Sequence, residues 1–331
     1  MTRVVRFHEF GGPEVLKFED LAVGEPSPGE MRVRIQAIGL NRAEAAFRSG
    51  HYIEKAVLPA RLGYEAAGVV EALGSNASGF QIGEPVCVIP EFSMNRYGVY
   101  AEAALVPATA VVKRPSGLSS EEAAALWMAY LTAYGALIDI VQLARADAVV
   151  ITAASSSVGL AAIQIANSVG AVPIAATRTE AKRAGLQEAG AAHVVTTATQ
   201  DLAAEVMRIT DGRGARLVFD PVSGPGIAAL APALGRQGML VLYGNLSGQG
   251  HQTPFPFGLA VGKGLSVRGY LVFEIIHDPS RLARADAFIR EGLRRGTLRP
   301  KIARVFAFDQ IAEAHRYLES NQQLGKVVVT V

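Results

Sequence analysis

The sequence predicts an α/β protein in which a doubly wound parallel sheet is inserted into a β-rich unit. Three observations lead there. From about Ser120 onward, short apolar strands alternate with alanine-rich helices of about 10–15 residues, the rhythm of βαβ units. Before that point, runs of β-branched residues are broken densely by Gly, Pro and Asn. After Phe273 the alternation stops, so the tail reads as a return to the first unit. The resulting boundaries are 1–121, 122–274 and 275–331.

Length and composition agree with two globular units. At roughly 150 residues per domain, 331 residues suggest two, and 50% hydrophobic with 19% charged residues excludes a disordered chain. The 32 Lys and Arg against 30 Asp and Glu leave no broad cationic surface for nucleic acid or an acidic membrane. No aromatic-basic stacking platform for single-stranded RNA stands out either. The stretch Met1–Phe10 carries Arg3, Arg6 and Glu9 and lacks the apolar core of a signal peptide. No apolar run approaches the roughly 20 residues that span a bilayer. With a single cysteine, these features lead us to expect a cytoplasmic protein.

In the first unit, strands are read at Met31–Ile38, Gly68–Leu73, Pro85–Ile89 and Ala110–Lys113. In the second they are read at Ala148–Ala153, Val172–Ala176, His193–Thr196, Arg216–Phe219, Met239–Tyr243 and Leu265–Phe273. The helices between them fall at about Ser157–Val169, Thr179–Ala189, Ala198–Thr210 and Gly226–Leu234. The tail holds a basic helix (Pro279–Arg295), a strand (Ala303–Phe308), a helix (Asp309–Ser320) and a last strand (Lys326–Val331). In such a sheet a ligand sits beyond the carboxyl ends of the strands.

The first βα turn supplies a nucleotide site. Strand Ala148–Ala153 runs into Ala154, Ser155, Ser156, Ser157, Val158 and Gly159, where a dinucleotide fold places Gly-x-Gly-x-x-Gly. Ala154 and Ser156 replace the first two glycines, yet small residues still let a pyrophosphate reach the backbone N–H groups of the helix. Read alone, a serine-rich turn is equally a helix cap; its place in the βαβ series favours the cofactor. The next strand ends at Thr177 and Arg178, with Lys182 one turn on, where a chain selective for NAD carries an acid. Two cations there favour the 2′-phosphate of NADPH, although Glu180 stands close by.

Several motifs then resemble the zinc-free quinone oxidoreductase and enoyl reductase branch of the medium-chain dehydrogenase/reductase superfamily. They are His8–Leu16, Ile38–Arg42, Phe47–Gly50, Leu62–Val70, Tyr97–Glu102, Leu131–Tyr134, the serine turn and Gly325–Val328. The resemblance implies a GroES-like β-barrel catalytic domain, a Rossmann domain inserted in it, and NADPH in the cleft between. Zinc-dependent relatives carry a ligand Cys near Asn41 and a His at the position of Tyr64, and commonly four clustered cysteines. Asn41, Tyr64 and a single Cys87 stand here instead, so Glu65 alone cannot hold the ion. Without a Lewis acid, conjugated carbonyls and quinones are easier hydride acceptors than plain ketones, because the charge spreads into an enolate or hydroquinone.

By the same resemblance, Tyr52 and Asn41 lie near the nicotinamide. Tyr52 would donate to the acceptor oxygen, and Asn41 would donate to that oxygen or position the ribose. Tyr64 is a second candidate donor. The alternative readings are a loop aromatic for Tyr52, a turn residue for Asn41 and barrel core for Tyr64. Phe47 stands where some relatives have tyrosine. Thr132, Gly244, Asn245, Leu246, Leu271, Val272 and Phe273 are expected around the nicotinamide, and Lys326 is grouped with the cofactor-binding residues. Phe92, Trp127 and Met128 read as a substrate wall or as core. His51 reads as a solvent-facing loop residue or a proton-transfer aid, and the basic run Arg281–Arg304 as a solvated face or an attractor for an anionic substrate.

The sequence thus points to an NADPH-dependent reductase of quinones, enals, enones or enoyl thioesters. A zinc-independent alcohol dehydrogenase and a non-catalytic NADPH-binding protein are the alternatives. The edge strand Leu265–Phe273 suggests a homodimer.

Overall fold

Ala148–Ile151 is buried at every position, the signature of a strand enclosed on both faces. The computed structural model describes residues 1–331 as two units, Met1–Met128 with Pro300–Val331, and Ala129–Arg299. In the second unit six parallel strands lie in the order His193–Thr196, Val172–Thr177, Ala148–Ile151, Ala215–Asp220, Leu234–Leu242, Ser266–Gly269. The order reverses beside Ala148–Ile151, so the switch point of a doubly wound fold falls where the serine turn begins. Val150, Ile174, Val195, Val218 and Leu240 form one core face with Leu202 and Val206 of the helix Leu202–Ile209.

Several elements differ from the sequence reading. The strand expected over Leu265–Phe273 stops at Gly269, and Phe273–Ile276 is a helical turn. Its apolar run continues because Tyr270 is buried, its hydroxyl donating to the Leu131 carbonyl (3.3 Å). A side chain on Gly135 would collide with that hydroxyl. The helix expected over Gly226–Leu234 is two short turns, since Pro232 interrupts the N–H ladder, and the next strand starts at Leu234. The basic helix spans Pro279–Arg294 and belongs to the second unit, with Arg281 paired to Asp139 at 2.6 Å. The chain therefore re-enters the first unit at Pro300, later than residue 275.

In the first unit, Glu30–Gly39 is the central strand. It pairs antiparallel with Ala66–Leu73, Ala103–Pro107 and the last strand Lys326–Thr330, which carries Ile302–Ala307 parallel on its far side. Pro85–Val88 and Val111–Lys113 extend the sheet beyond Ala66–Leu73. A small sheet of Lys17–Leu21, Thr2–Phe7 and Ala60–Arg61 is joined to it by backbone bonds from Thr2–Phe7 to residues 100–102. Cys87 is wholly buried in Pro85–Val88, in register with Ala67 and Val112. No helix is long and apolar enough to cross a membrane.

Candidate active site

The nucleotide side is built at the carboxyl ends of the parallel strands. Ala153 has a left-handed backbone (φ 43°), so the turn bends one residue before the position the glycine pattern suggested. Ser156 caps the helix Ser157–Ser168, its Oγ accepting from the Gly159 N–H (3.0 Å). The N–H groups of Ser157 and Val158, in the first turn, have no intrahelical acceptor and remain donors for an anion. A Cβ on Gly159 would lie 2.5 Å from the Ala154 carbonyl oxygen, so this glycine is required by helix-on-turn packing.

Lys182 reaches the loop, its Nζ donating to Ser155 Oγ (2.8 Å). Burial and the nearby Arg178 lower its affinity for a proton. Arg178 is exposed, and Thr177 is buried at the strand end. Glu180 does not oppose this pair. One of its oxygens is ion-paired with Arg183 and the other accepts from Thr196 Oγ1 (2.7 Å), which holds the carboxyl below its usual range.

Three groups at the switch point escaped the sequence reading. Asp220 is fully buried and accepts from Thr152 Oγ1 (2.5 Å) and from the N–H groups of Ser223 (2.7 Å) and Val222 (3.0 Å). Burial nonetheless raises its pKa. Ser223 sits at φ 57°, ψ −167°, a region that strains any residue but glycine, and its hydroxyl donates to the Gly244 carbonyl (2.8 Å). Tyr243 stacks on Phe219 (4.0 Å), and its buried hydroxyl, beside Ser156, has no well-formed partner in the chain. An orphaned polar atom next to a turn of unused N–H groups suits a phosphate-bearing ligand.

Among the remaining expected cofactor residues, Thr132 is buried in the helix Trp127–Tyr134. Gly244, Asn245 and Leu246 follow the strand Leu234–Leu242 and are exposed; Asn245 Oδ1 accepts from the Gly250 N–H (2.8 Å). Leu271 is exposed, Val272 buried, and Phe273 stacks on His277.

The residues expected to face the acceptor gather around the helix Arg42–Arg48. Glu44, its third residue, reaches back to the Asn41 N–H (2.7 Å). The Asn41 side chain is committed on all sides: Nδ2 donates to the Gly39 carbonyl (3.0 Å) and Glu44 Oε1 (3.2 Å), while Oδ1 accepts from Lys326 Nζ (2.6 Å). The ammonium fixes which end of the amide is oxygen. Asn41 therefore has no N–H left for an acceptor oxygen, and only the remaining lone pair of Oδ1 is available, which suits a ribose hydroxyl. Lys326, grouped with the cofactor residues by its motif, is instead buried with Asn41 and with Glu65 (2.5 Å), whose other oxygen accepts from the Met128 N–H (2.8 Å).

Tyr52 and Tyr64 do come together. The rings of Phe47, Tyr52, Tyr64, Phe92 and Tyr97 form a continuous file with centroids 6.2, 6.2, 5.6 and 5.9 Å apart in turn. Burial pushes the Tyr52 hydroxyl up to about 12, against a hydrogen bond with Tyr64. Tyr64 is raised further, first by burial and then by Tyr52. The two hydroxyls are paired, and burial keeps both neutral. His51 is exposed beside them, and Trp127 lies in the core. No group of three His, Cys, Asp or Glu side chains has the geometry to hold a metal ion.

Two family models match the chain: an alcohol dehydrogenase GroES-like domain over residues 27–116 and a zinc-binding dehydrogenase domain over 157–289. A quinone oxidoreductase from Pseudomonas aeruginosa is 32% identical across 99% of both chains. The chain belongs to the quinone oxidoreductase branch of the medium-chain dehydrogenase/reductase superfamily. A 2-haloacrylate reductase from a Burkholderia species is 28% identical over 99% of both chains. The Escherichia coli quinone oxidoreductase, crystallised with NADPH, superposes with a TM-score of 0.91 at 29% identity, with all of both chains covered.

Proposed function

We propose that this chain is an NADPH-dependent reductase that delivers hydride to a quinone or an α,β-unsaturated carbonyl without zinc. The observation that carries the reading is the pair of cations at the end of the second strand, Lys182 on Ser155 with Arg178 nearby, where Glu180 is neutralised by Arg183. Ser155, the Ser157 and Val158 N–H groups, Lys182 and Arg178 would hold the phosphates, with Thr177 and Gly159 shaping the turn. Thr132, Gly244, Asn245, Leu246, Leu271, Val272 and Phe273 are assigned to the nicotinamide end. NADPH, when bound, supplies the hydride.

The chain's own part is to bind and polarise the acceptor. Tyr52 donates its proton toward the acceptor oxygen, and the adjacent Tyr64 helps to position its hydroxyl. Asn41 presents Oδ1 to the ribose, and the aromatic file gives a flat acceptor a surface to lie on. We place the enzyme in the cytoplasm as a homodimer paired through the edge strand Ser266–Gly269, beside which Phe255, Phe257 and Val261 are exposed.

An NADPH-oxidation screen over quinones, 2-enals, cyclic enones and enoyl thioesters tests the reaction. Turnover of one class supports it, and tight NADPH binding without turnover rejects it. A monomer mass in light scattering rejects the dimer.

A further inference from the structure

One carboxylate serves two of the residues assigned to the acceptor site. Glu44 is completely buried; one oxygen accepts from the Asn41 backbone N–H (2.7 Å), the other from Asn41 Nδ2 (3.2 Å) and from the Tyr64 backbone N–H (3.1 Å). Those bonds tie the start of the helix Arg42–Arg48 to the loop that carries Tyr64, across 20 residues of sequence. Both oxygens are already acceptors. Oε1 accepts twice and Oε2 once, so a proton enters at the open lone pair of Oε2, removes the charge that strengthens all three bonds and weakens the hold on Asn41 and Tyr64.

The charges around Glu44 are few. Lys326, on the last strand, faces it and also meets Glu65, so one ammonium serves two buried carboxylates. Tyr52, Tyr64 and Tyr100 face it as neutral hydroxyls, and beyond Tyr100 lie His315 and Arg48. Burial outweighs Lys326 and the three hydrogen bonds, and the Glu44 carboxyl is raised to about 7.

We propose that Glu44 is the positioning residue of this site: its ionised carboxylate holds Asn41 and Tyr64 in register, and a proton on it loosens both and shuts the acceptor site. This rests on the reductase reading above. Through Tyr64 the effect reaches Tyr52, whose ring lies 6.2 Å from that of Tyr64 in the same aromatic file and whose hydroxyl is paired with it.

The test uses the wild type, Glu44→Gln and His51→Asn, with two readouts across the neutral pH range. The first is the tyrosine ultraviolet difference spectrum of the chain without NADPH; the second is kcat and KM for NADPH oxidation by 1,4-benzoquinone. Wild type and His51→Asn should show a spectral midpoint near 7 and a matching loss of kcat on the acid side, with KM for NADPH rising in step as Asn41 loosens. Glu44→Gln should lack both midpoints and lose on the order of 10- to 100-fold in kcat, the effect of a small misplacement. A midpoint that persists in Glu44→Gln, or disappears in His51→Asn, overturns the proposal, as does a flat wild-type spectrum. If Glu44→Gln does not fold, the wild-type and His51→Asn spectra still decide. A tyrosine midpoint without quinone turnover counts against the reductase reading and supports Glu44.

Discussion

The cluster around the serine turn and the cluster around Glu44, one in each unit, are made of different materials. On the nucleotide side the working groups are backbone N–H donors and cations near the surface, and the cost is backbone strain at Ala153 and Ser223. On the acceptor side the groups are side chains, held by a buried cluster of Glu44, Glu65 and Lys326 whose polar atoms are tied to one another and to nearby amides. A phosphate comes with its own charge and needs only donors. An uncharged quinone or enone brings little to hold it, so the protein must fix one hydroxyl in place, and buried ion pairs do that at the expense of desolvation.

That contrast can be broken first at the acceptor side, where the largest effects are expected. Tyr52→Phe should lower kcat/KM by about 100- to 10,000-fold while NADPH affinity, read by fluorescence titration, stays within twofold. Equal loss in both would move Tyr52 to the binding of cofactor. Lys326→Met leaves two buried carboxylates without their cation and should cost about 3–5 kcal/mol of stability in denaturant unfolding. A change under 1 kcal/mol would mean the cluster is wetter than its burial indicates.

On the nucleotide side the losses should be smaller and cofactor-specific. Lys182→Ala should weaken NADPH binding by roughly tenfold, in line with one charge-assisted hydrogen bond, and change NADH binding much less. Equal weakening of both would assign Lys182 to the pyrophosphate. The pH dependence of stability gives an effect of similar size. Because Glu44 is raised in the folded chain, its contribution is fully present below about 4.5 and is lost as pH rises through about 7, so Glu44→Gln should flatten that decline. The smallest effect is at the strained turn: Ala153→Gly should stabilise the protein by about 1 kcal/mol and leave NADPH affinity unchanged.

The same division governs what could be read from sequence. The inner parallel strands have unbroken apolar, β-branched centres, so Ala148–Ile151 and the Val194–Val195 pair of His193–Thr196 stand out from the chain alone. Thr2–Phe7 and Lys17–Leu21 do not, because charged residues interrupt strands that are open on one face. Ser155 and Lys182 were legible because local order around a βα turn brings them together. Glu44 was not, since a Glu three residues after an Asn reads as an ordinary solvated cap, and only the arrival of Lys326 from the far end of the chain encloses it. Lys326 was read with the cofactor-binding residues, and its bonds to Asn41 and Glu65 could not be read for the same reason. Asp220, Tyr243 and Ser223 follow strand ends with no motif to mark them.

The burial of Cys87 has a practical consequence. The only thiol in the chain sits inside the central sheet of the first unit, flanked by strands on both sides. A thiol-reactive dye can reach it only when that sheet opens. Its labelling rate in the native protein therefore clocks the opening of the acceptor-side unit, with no mutation and no interference from a second sulfhydryl.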